Sequence, residues 1–198
     1  MIDSFTALTE VPAETLTRLH RRLEADAADH ELLDIAYRTV ETPVGDLLLA
    51  ATAQGLVRVA YASEGLDTVL QSLATKISPR ILRAPRRLDA AASQLDDYFT
   101  GRRQSFQVPL DLRLSTGFRR SVLEHLRGIA YGSTESYATV AAATGHAAAF
   151  RAVGSACATN PLPVVVPCHR VLRSDGSLGG YLGGLAVKQA LLDLEAAA

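Results

Sequence analysis

The feature that most constrains this 198-residue chain is the stretch VVVPCHRVL at 164–172. Its three consecutive valines predict a buried strand, because β-branched residues favour sheets. Pro167 would end that strand, since proline lacks the amide hydrogen that a ladder needs. Cys168, His169 and Arg170 therefore stand where a buried segment turns, which is a costly place for polar groups that have neither partners nor a task.

This stretch alone leaves two interpretations open. The three polar groups form a chemical site, or Cys168 is a structural cysteine beside a surface His–Arg pair, since free cysteines are often buried. The second cysteine, Cys157, does not indicate a disulfide framework in a chain of this length. The five histidines are scattered and show no metal-ligand spacing. We expect neither a metal nor a cofactor.

Charge says little about partners, because the formal net charge is −1. Residues 115–198 carry seven basic and five acidic residues, which weakly favours this part as the one that faces an anionic partner. The polar N-terminus has no signal-peptide pattern, and no apolar run approaches the length of a membrane span. We therefore expect a reducing, cytoplasmic setting.

The N-terminal part alternates between strand and helix patterns. We expect residues 1–11 to be loose and a helix to follow over 12–30, with Leu16, Leu19 and Leu23 at helical spacing. The patterns that follow predict an α+β unit with no catalytic constellation. Its expected strands and extended segments cover 35–40, 46–52, 56–61 and 106–112, and its expected helices cover 66–77 and 88–99.

The C-terminal part has a helical texture. We expect helices over 115–130, 137–143 and 147–158, and a closing helix over 185–195. The Gly-containing turn between the second and third helices is typical of a helix-turn-helix. The third helix is rich in small residues, which suits close packing on protein as well as entry into a nucleic-acid groove. Arg151 is its one long cation.

Several motifs occur together in one order. They are Tyr137, RAVG at 151–154, Asn160-Pro161, PCHRV at 167–171, GGY at 179–181, and a closing helix with Lys188 and Glu195. In this combination the chain resembles the O6-alkylguanine-DNA alkyltransferases, the methylated-DNA–protein-cysteine methyltransferases.

The resemblance implies an α+β fold of two domains. A ribonuclease H-like domain is expected at 34–112. Its match to the family, carried by the TPVG turn and the LLLAAT strand, is looser than that of the C-terminal part. A mostly helical catalytic and DNA-binding domain is expected at 115–198. Residues 1–33 would form a helical extension, for which the resemblance places no counterpart.

The resemblance also implies a chemistry. Cys168 would take the alkyl group from O6 of guanine, or from O4 of thymine, in one irreversible step. His169 would act as a base through a water molecule, Glu195 would orient it, and Asn160 would support the turn. Tyr137 would donate a proton to the leaving guanine, and Lys188 is given a supporting role.

Double-stranded DNA is the implied partner, and the lesion base would be flipped out of the stack. Arg151 would fill the vacated space while the recognition helix lies in the minor groove. The remaining residues implied to contact DNA are Tyr137, Ala138, Ala149, Phe150, Gly154 and Ser174. Val171, Tyr181 and Leu182 would line the guanine pocket. We expect a monomer in solution, with cooperative binding on DNA left open.

Two positions depart from the family's familiar residues. Leu182 is larger than the small residue of some relatives and would narrow the pocket, and Phe150 stands where alanine is familiar.

Two alternative functions remain. A non-catalytic lesion-binding protein is disfavoured by the presence of Cys168, and a thiol hydrolase gives no reason for the RAVG motif or the helix-turn-helix.

Overall fold

The computed structural model describes residues 11–197. The expectation of a loose segment over 1–11 therefore falls almost wholly outside the described residues. Seven helices and six strands are described in this part of the chain. The helices are α1 (Ala13–Asp29), α2 (Leu66–Lys76), α3 (Asp89–Phe99), α4 (Gly117–Leu126), α5 (Tyr137–Ala143), α6 (Phe150–Ala158) and α7 (Leu185–Ala196). The strands are β1 (Ile35–Val40), β2 (Leu47–Thr52), β3 (Gly55–Tyr61), β4 (Ile81–Arg83), β5 (Glu135–Ser136) and β6 (Val171–Leu172).

The N-terminal domain is a four-stranded sheet in the order β3-β2-β1-β4. β1, β2 and β3 are antiparallel neighbours, whereas the short β4, which the sequence patterns did not predict, runs parallel to β1. Alternate residues of β2 face opposite sides of the sheet. Leu48 packs in a cluster with Val69 of α2, and Leu47 packs in the cluster that contains Leu95 of α3. The sheet therefore lies between two helices.

Helix α1 contacts this domain through a polar face. His20 donates a hydrogen bond of 2.6 Å from Nε2 to the carbonyl oxygen of Arg83, and Ala27 packs on the core. The three leucines at helical spacing point the other way, because Leu16, Leu19 and Leu23 are all more than half exposed. The helix is present as predicted, but its leucine stripe does not form the contact with the sheet domain.

The C-terminal domain packs α4, α5 and α6 around Val122, Val140 and Val153, which are fully buried. Helix α4 ends at Leu126, four residues earlier than predicted, and α6 begins at Phe150 rather than at residue 147. Ser136 caps α5, since its hydroxyl accepts a hydrogen bond of 3.0 Å from the Thr139 amide. The helix-turn-helix is therefore present, with a longer connection than predicted.

The two domains share one core. Tyr98 of α3 is completely buried in the same apolar cluster as Leu162 and Val166. The Val59 amide of β3 donates to the carbonyl oxygen of Pro161 at 2.8 Å. The predicted fold class, a small sheet domain followed by a helical domain with a helix-turn-helix, is confirmed.

The strand predicted over the three valines is wrong. Val164–Val166 form consecutive turns, and Val164 has a left-handed backbone with φ of 70°. This conformation is unusual for a β-branched residue. The amide of Val166 donates to the carbonyl oxygen of Leu162 at 2.7 Å, which closes a turn. Flanking prolines favour such turns, so the valines are buried as predicted without joining a sheet.

Candidate active site

Cys168 begins a single turn of 3-10 helix over Cys168–Arg170, directly after the valine turns. Its side chain is buried, with the residue only 2% exposed. Asn160 holds the approach to this turn. Its Nδ2 donates to the carbonyl oxygen of Val166 at 2.9 Å and to Sγ of Cys168 at 3.1 Å, and its Oδ1 accepts from the Leu162 amide at 2.9 Å.

The thiol of Cys168 is protonated at rest. Burial raises its pKa to about 11, although the hydrogen bond from Asn160 and the nearby cation of Lys188 oppose that shift. Both neighbours stabilise the thiolate relative to the thiol. The site therefore needs a base to remove the proton, and it already contains two groups that stabilise the resulting anion.

His169 is fully buried, and its Nε2 lies 2.8 Å from Oε1 of Glu195. Because Glu195 is ionised, Nε2 carries the proton and donates a hydrogen bond to the carboxylate. Nδ1 is then the unprotonated nitrogen, and it has no hydrogen-bond partner among the described residues. Burial lowers the pKa of His169, against the opposing effect of Glu195, so the resting imidazole is neutral and able to accept a proton at Nδ1.

Glu195 is the anion of a buried network. Burial alone would raise its pKa, but the hydrogen bonds from His169 and Arg170 outweigh that effect and lower the pKa to about 2. Arg170 donates to the carboxylate from Nε and Nη2, both at 2.8 Å. Tyr98 donates to Oε1 at 2.7 Å, and the Gly132 amide donates to Oε2 at 3.2 Å. The carboxylate is therefore held in one orientation.

Sequence reasoning missed two members of this network. Arg170 is 6% exposed and also donates to the carbonyl oxygen of Ile129 at 2.5 Å. It is therefore not part of a surface His–Arg pair, which was one of the two interpretations of the stretch at 164–172. Tyr98 comes from the N-terminal domain, in which no catalytic constellation was predicted. The sequence analysis placed it only within the helix predicted over 88–99.

Lys188 of α7 is fully buried, and its Nζ donates to the carbonyl oxygen of Val171 at 2.5 Å. Burial lowers the pKa of this ammonium group, while Cys168 and Cys157 raise it. Nζ also lies 6.0 Å from the ring centre of Tyr137. The structure thus brings Lys188 to the cysteine turn and to Tyr137 at once.

Tyr137 is half-buried at the start of α5. Burial, followed by the proximity of Cys157 and Cys168, raises the pKa of its hydroxyl to about 12, so the phenol stays protonated. The ring packs against Gly179, where a Cβ atom would lie 2.8 Å from Cε2 of Tyr137. Glycine is therefore required at 179 for the loop to approach the ring this closely.

A surface cavity of about 560 Å³ lies in front of Tyr137. Its lining includes most of the residues predicted to contact DNA, together with Arg173, to which the sequence analysis gave no role. The lining residues are Tyr137, Ala138, Phe150, Gly154, Ala158, Arg173, Ser174, Gly179 and Gly180.

Arg151 and Ala149 lie beside this surface. Arg151 is exposed, with its guanidinium carbon 5.7 Å from the ring centre of Phe150, which is 47% exposed. Ala149 immediately precedes α6 and is half-buried. A slender helix edge with one exposed arginine and one exposed phenylalanine therefore projects next to the cavity.

Of the three residues predicted to line a guanine pocket, Val171 and Tyr181 lie next to the cysteine turn. Val171 directly follows that turn and is fully buried. Tyr181 is half-buried, and its ring centre lies 6.4 Å from that of His169 in an edge-on arrangement. Leu182 is half-buried and also lines a second cavity, of about 330 Å³, with Arg58 and Asn160.

Comparison with known proteins decides the family. The family model described as "6-O-methylguanine DNA methyltransferase, ribonuclease-like domain" matches residues 35–112. The model for the DNA binding domain of the same methyltransferase matches residues 117–197. The chain belongs to the 6-O-methylguanine DNA methyltransferase family. The family membership predicted from the sequence is thereby confirmed.

Curated relatives of this methyltransferase family agree. The methylated-DNA–protein-cysteine methyltransferase of Methanosarcina barkeri is 38% identical over 162 residues, which are 80% of this chain and 96% of that protein. The protein of the same name from Mycobacterium tuberculosis H37Rv is 40% identical over 161 residues, which are 81% of this chain and 92% of the relative.

Solved structures of the family superpose on the same region. The O6-methylguanine methyltransferase of M. tuberculosis has a TM-score of 0.73 at 37% identity, and the match covers 82% of this chain and 93% of the other. A structure of M. tuberculosis OGT in complex with DNA has a TM-score of 0.72, also at 37% identity and with the same coverage.

Two further observations bear on the expectations for metals and membranes. Within residues 11–197, no group of three or more His, Cys, Asp or Glu side chains is placed to hold a metal ion. No helix in that same range has the length and apolar character needed to cross a membrane.

Proposed function

We propose that this methyltransferase repairs DNA by moving an alkyl group from O6 of guanine in duplex DNA to Sγ of Cys168. One observation carries the proposal. In a chain that belongs to this family, a buried cysteine directly precedes a buried histidine whose Nε2 is held by an ionised glutamate. The base nitrogen Nδ1 is thereby left free, as the activation of a thiol requires.

The first step is deprotonation of the thiol. The Cys168 proton passes through a water molecule to Nδ1 of His169, which becomes an imidazolium paired with Glu195. Since the resting thiol has a raised pKa, the anion depends on the Nδ2–H group of Asn160 and on the ammonium group of Lys188 for stabilisation.

The second step is a displacement at the alkyl carbon. The thiolate electron pair forms the new C–S bond while the C–O6 bond breaks and its electron pair moves onto the guanine. Tyr137 donates a proton to the guanine ring as charge develops there. A phenol with a pKa raised to about 12 is protonated before the reaction and available for this role. The product is a thioether, which water does not readily cleave, so each molecule acts once.

The target oxygen is inaccessible inside a duplex, so the base has to leave the stack. We infer that α6 lies in the minor groove, which is about 6 Å wide and admits only a slender element. Arg151 is placed to fill the vacated position, and Tyr137 to rotate the adjacent phosphate. Small residues at the contact surface, including Ala138, Ala149 and Gly154, support this approach.

Other contacts follow from the same orientation. Phe150 would meet a sugar, and Ser174 and the exposed Arg173 would meet phosphates. The flipped guanine would lie between the cysteine turn at Val171 and the loop that carries Tyr181 and Leu182. We propose that the protein acts as a monomer and that its reaction needs no cofactor.

A stoichiometry measurement tests this function. The protein is incubated with an excess of duplex carrying O6-methylguanine, and the repaired duplex is counted per protein molecule. We expect the count to stop at one. A count that keeps rising would indicate a multiple-turnover enzyme such as a hydrolase, and binding with no repair would indicate a lesion-binding protein. Cys157→Ser is the matched control and should still reach one.

A further inference from the structure

The loop over 179–184 is held between two tyrosine rings that come from different domains. Tyr137 of α5 contacts Gly179, and Tyr61 at the end of β3 contacts Gly183. A Cβ atom at Gly183 would lie 2.7 Å from Cζ of Tyr61, so only glycine allows the loop to pack this closely on the ring.

Tyr61 also bonds to the side chain at the centre of this loop. Its hydroxyl lies 2.9 Å from the hydroxyl of Tyr181, and the two rings meet edge-on with centres 6.0 Å apart. Tyr181 in turn contacts the ring of His169 edge-on. A chain of contacts thus runs from Tyr61 at the end of β3 through Tyr181 to His169 in the active site.

Tyr61 is itself held firmly. It is 4% exposed, and its amide donates to Oε1 of Glu64 at 3.0 Å. Glu64 forms an ion pair with Arg58, whose Nη1 donates to the carbonyl oxygen of Pro161 at 3.2 Å. The residue that restrains the loop is therefore tied to the same turn that positions Asn160.

A glycine-rich loop without such restraints would sample many conformations, because glycine leaves the backbone unusually free. Space for movement exists next to this one, since Leu182 borders the cavity of about 330 Å³ shared with Arg58 and Asn160. Releasing the loop would let Leu182 move into that cavity and so widen the pocket proposed for the flipped guanine.

We propose that Tyr61 is a positioning residue that fixes the Tyr181 loop and thereby sets the width of the guanine pocket, so that small O6 adducts are preferred over bulky ones. This inference rests on the proposed function and assigns the N-terminal domain a part in substrate selection. Tyr61 touches neither the base nor Cys168 in this role. It acts through Tyr181 and Leu182.

Tyr61→Phe tests the proposal because it removes one hydroxyl and keeps the ring on Gly183. Single-turnover rates are measured against the concentration of two duplexes, one with O6-methylguanine and one with O6-benzylguanine. Loss of one hydrogen bond should raise the half-saturating concentration of the methylated duplex about two- to tenfold. The ratio of benzyl to methyl transfer should rise by a similar factor. Tyr37→Phe in β1 is the matched control and should change neither quantity.

Two further measurements separate positioning from a general loss of structure. The rate at which iodoacetamide alkylates Cys168 should keep the pH profile of the wild type, since the change leaves in place Asn160 and Lys188, which act on the pKa of the thiol. In a double-mutant cycle, Tyr61→Phe should add little to the effect of Tyr181→Phe, because both remove the same bond. Tyr181→Phe also supplies the test if Tyr61→Phe does not fold.

The possible failures are distinguishable. A wild-type protein that transfers no alkyl group would overturn the proposed function itself. A wild type that transfers the group, alongside a folded Tyr61→Phe variant with unchanged half-saturation and unchanged adduct preference, would overturn only the role of Tyr61. Fully additive effects of Tyr61→Phe and Tyr181→Phe would overturn it as well.

Discussion

Tyr98 of the N-terminal domain donates a hydrogen bond of 2.7 Å to Oε1 of Glu195 in the last helix of the chain. The two residues are 97 positions apart, and both are buried. The same carboxylate oxygen accepts from Nε2 of His169. The N-terminal domain therefore supplies part of the framework that fixes the histidine, although none of its residues belongs to the PCHRV motif.

Tyr98→Phe should slow alkyl transfer without abolishing it. The change removes one of five donors to the carboxylate, so it should lower the free energy of unfolding by about 1 kcal/mol and the transfer rate several-fold. Denaturant unfolding and single-turnover rates would measure the two effects. Tyr131→Phe is the control, since the Tyr131 hydroxyl donates to the carbonyl oxygen of Leu194 at 3.3 Å and not to the carboxylate. Equal rate losses in both variants would argue against a specific role for Tyr98.

Glu195→Gln should lower both stability and transfer rate. It leaves the buried Arg170 without its anion, and breaking a buried pair in this way typically costs about 3 kcal/mol or more. It should also change the pH dependence of stability. The carboxyl pKa falls from 4.5 to about 2 on folding. Between these pH values the unfolded chain therefore binds a proton at Glu195 that the folded chain does not bind.

The stabilisation from this carboxylate is therefore complete above about pH 4.5 and is lost as the pH falls towards 2. Urea unfolding of the wild type and of Glu195→Gln at a series of pH values would measure it. The wild type should lose stability more steeply below pH 4.5 than the variant does. The exposed Asp193→Asn on the same helix should follow the wild type. Parallel curves for wild type and Glu195→Gln would contradict the assignment of an ionised Glu195.

Lys188→Gln should make Cys168 less reactive. Glutamine can still donate to the carbonyl oxygen of Val171, but it removes the cation that lowers the pKa of the thiol. That pKa is about 11 in the wild type, so the thiolate fraction and the iodoacetamide rate should rise about tenfold per pH unit between about pH 7 and 9. The variant should give a parallel line at lower rates. Unchanged rates would remove Lys188 from thiolate stabilisation.

Arg151→Ala should impair repair of duplex DNA far more than reaction with a free O6-alkylguanine base. Only the duplex requires a base to leave the stack, which costs a few kcal/mol, so we expect a loss of at least about tenfold on duplex and less than about twofold on the free base. Arg21→Ala removes an exposed charge from α1, which is not part of the helix-turn-helix, and serves as the control. Equal losses on the two substrates would contradict an intercalating role for Arg151.

The sequence was most informative where local pattern determines structure. Apolar periodicity and turn residues specify some elements directly. Within a residue or two of their predicted positions lie the helices at 66–76, 89–99 and 137–143 and the turn at Thr42–Gly45. It was least informative where the chain context overrides propensity. Three valines predict a strand, but the prolines around them and the side chain of Asn160 hold the backbone in turns instead.

The site shows the same division. Cys168, His169 and Glu195 were predicted from the order of the motifs and the family resemblance, and the structure places His169 and Glu195 in direct contact. Tyr98, Arg170 and Tyr61 were missed because their importance depends on contacts between distant segments. No local pattern reveals that an aromatic residue of α3 reaches a carboxylate 97 residues away. The burial of Arg170 likewise depends on Glu195 and on the carbonyl oxygen of Ile129.

Whether Cys168 accepts the alkyl group is measured by the mass of the intact protein after incubation with a duplex carrying O6-methylguanine, followed by peptide mapping of the modified residue. Alkyl transfer to Cys168 predicts the gain of one methyl group on that residue in the wild type, an equal gain in Cys157→Ser, and none in Cys168→Ser. An unchanged wild-type mass with the duplex still methylated, or a methyl group on Cys157, would contradict it.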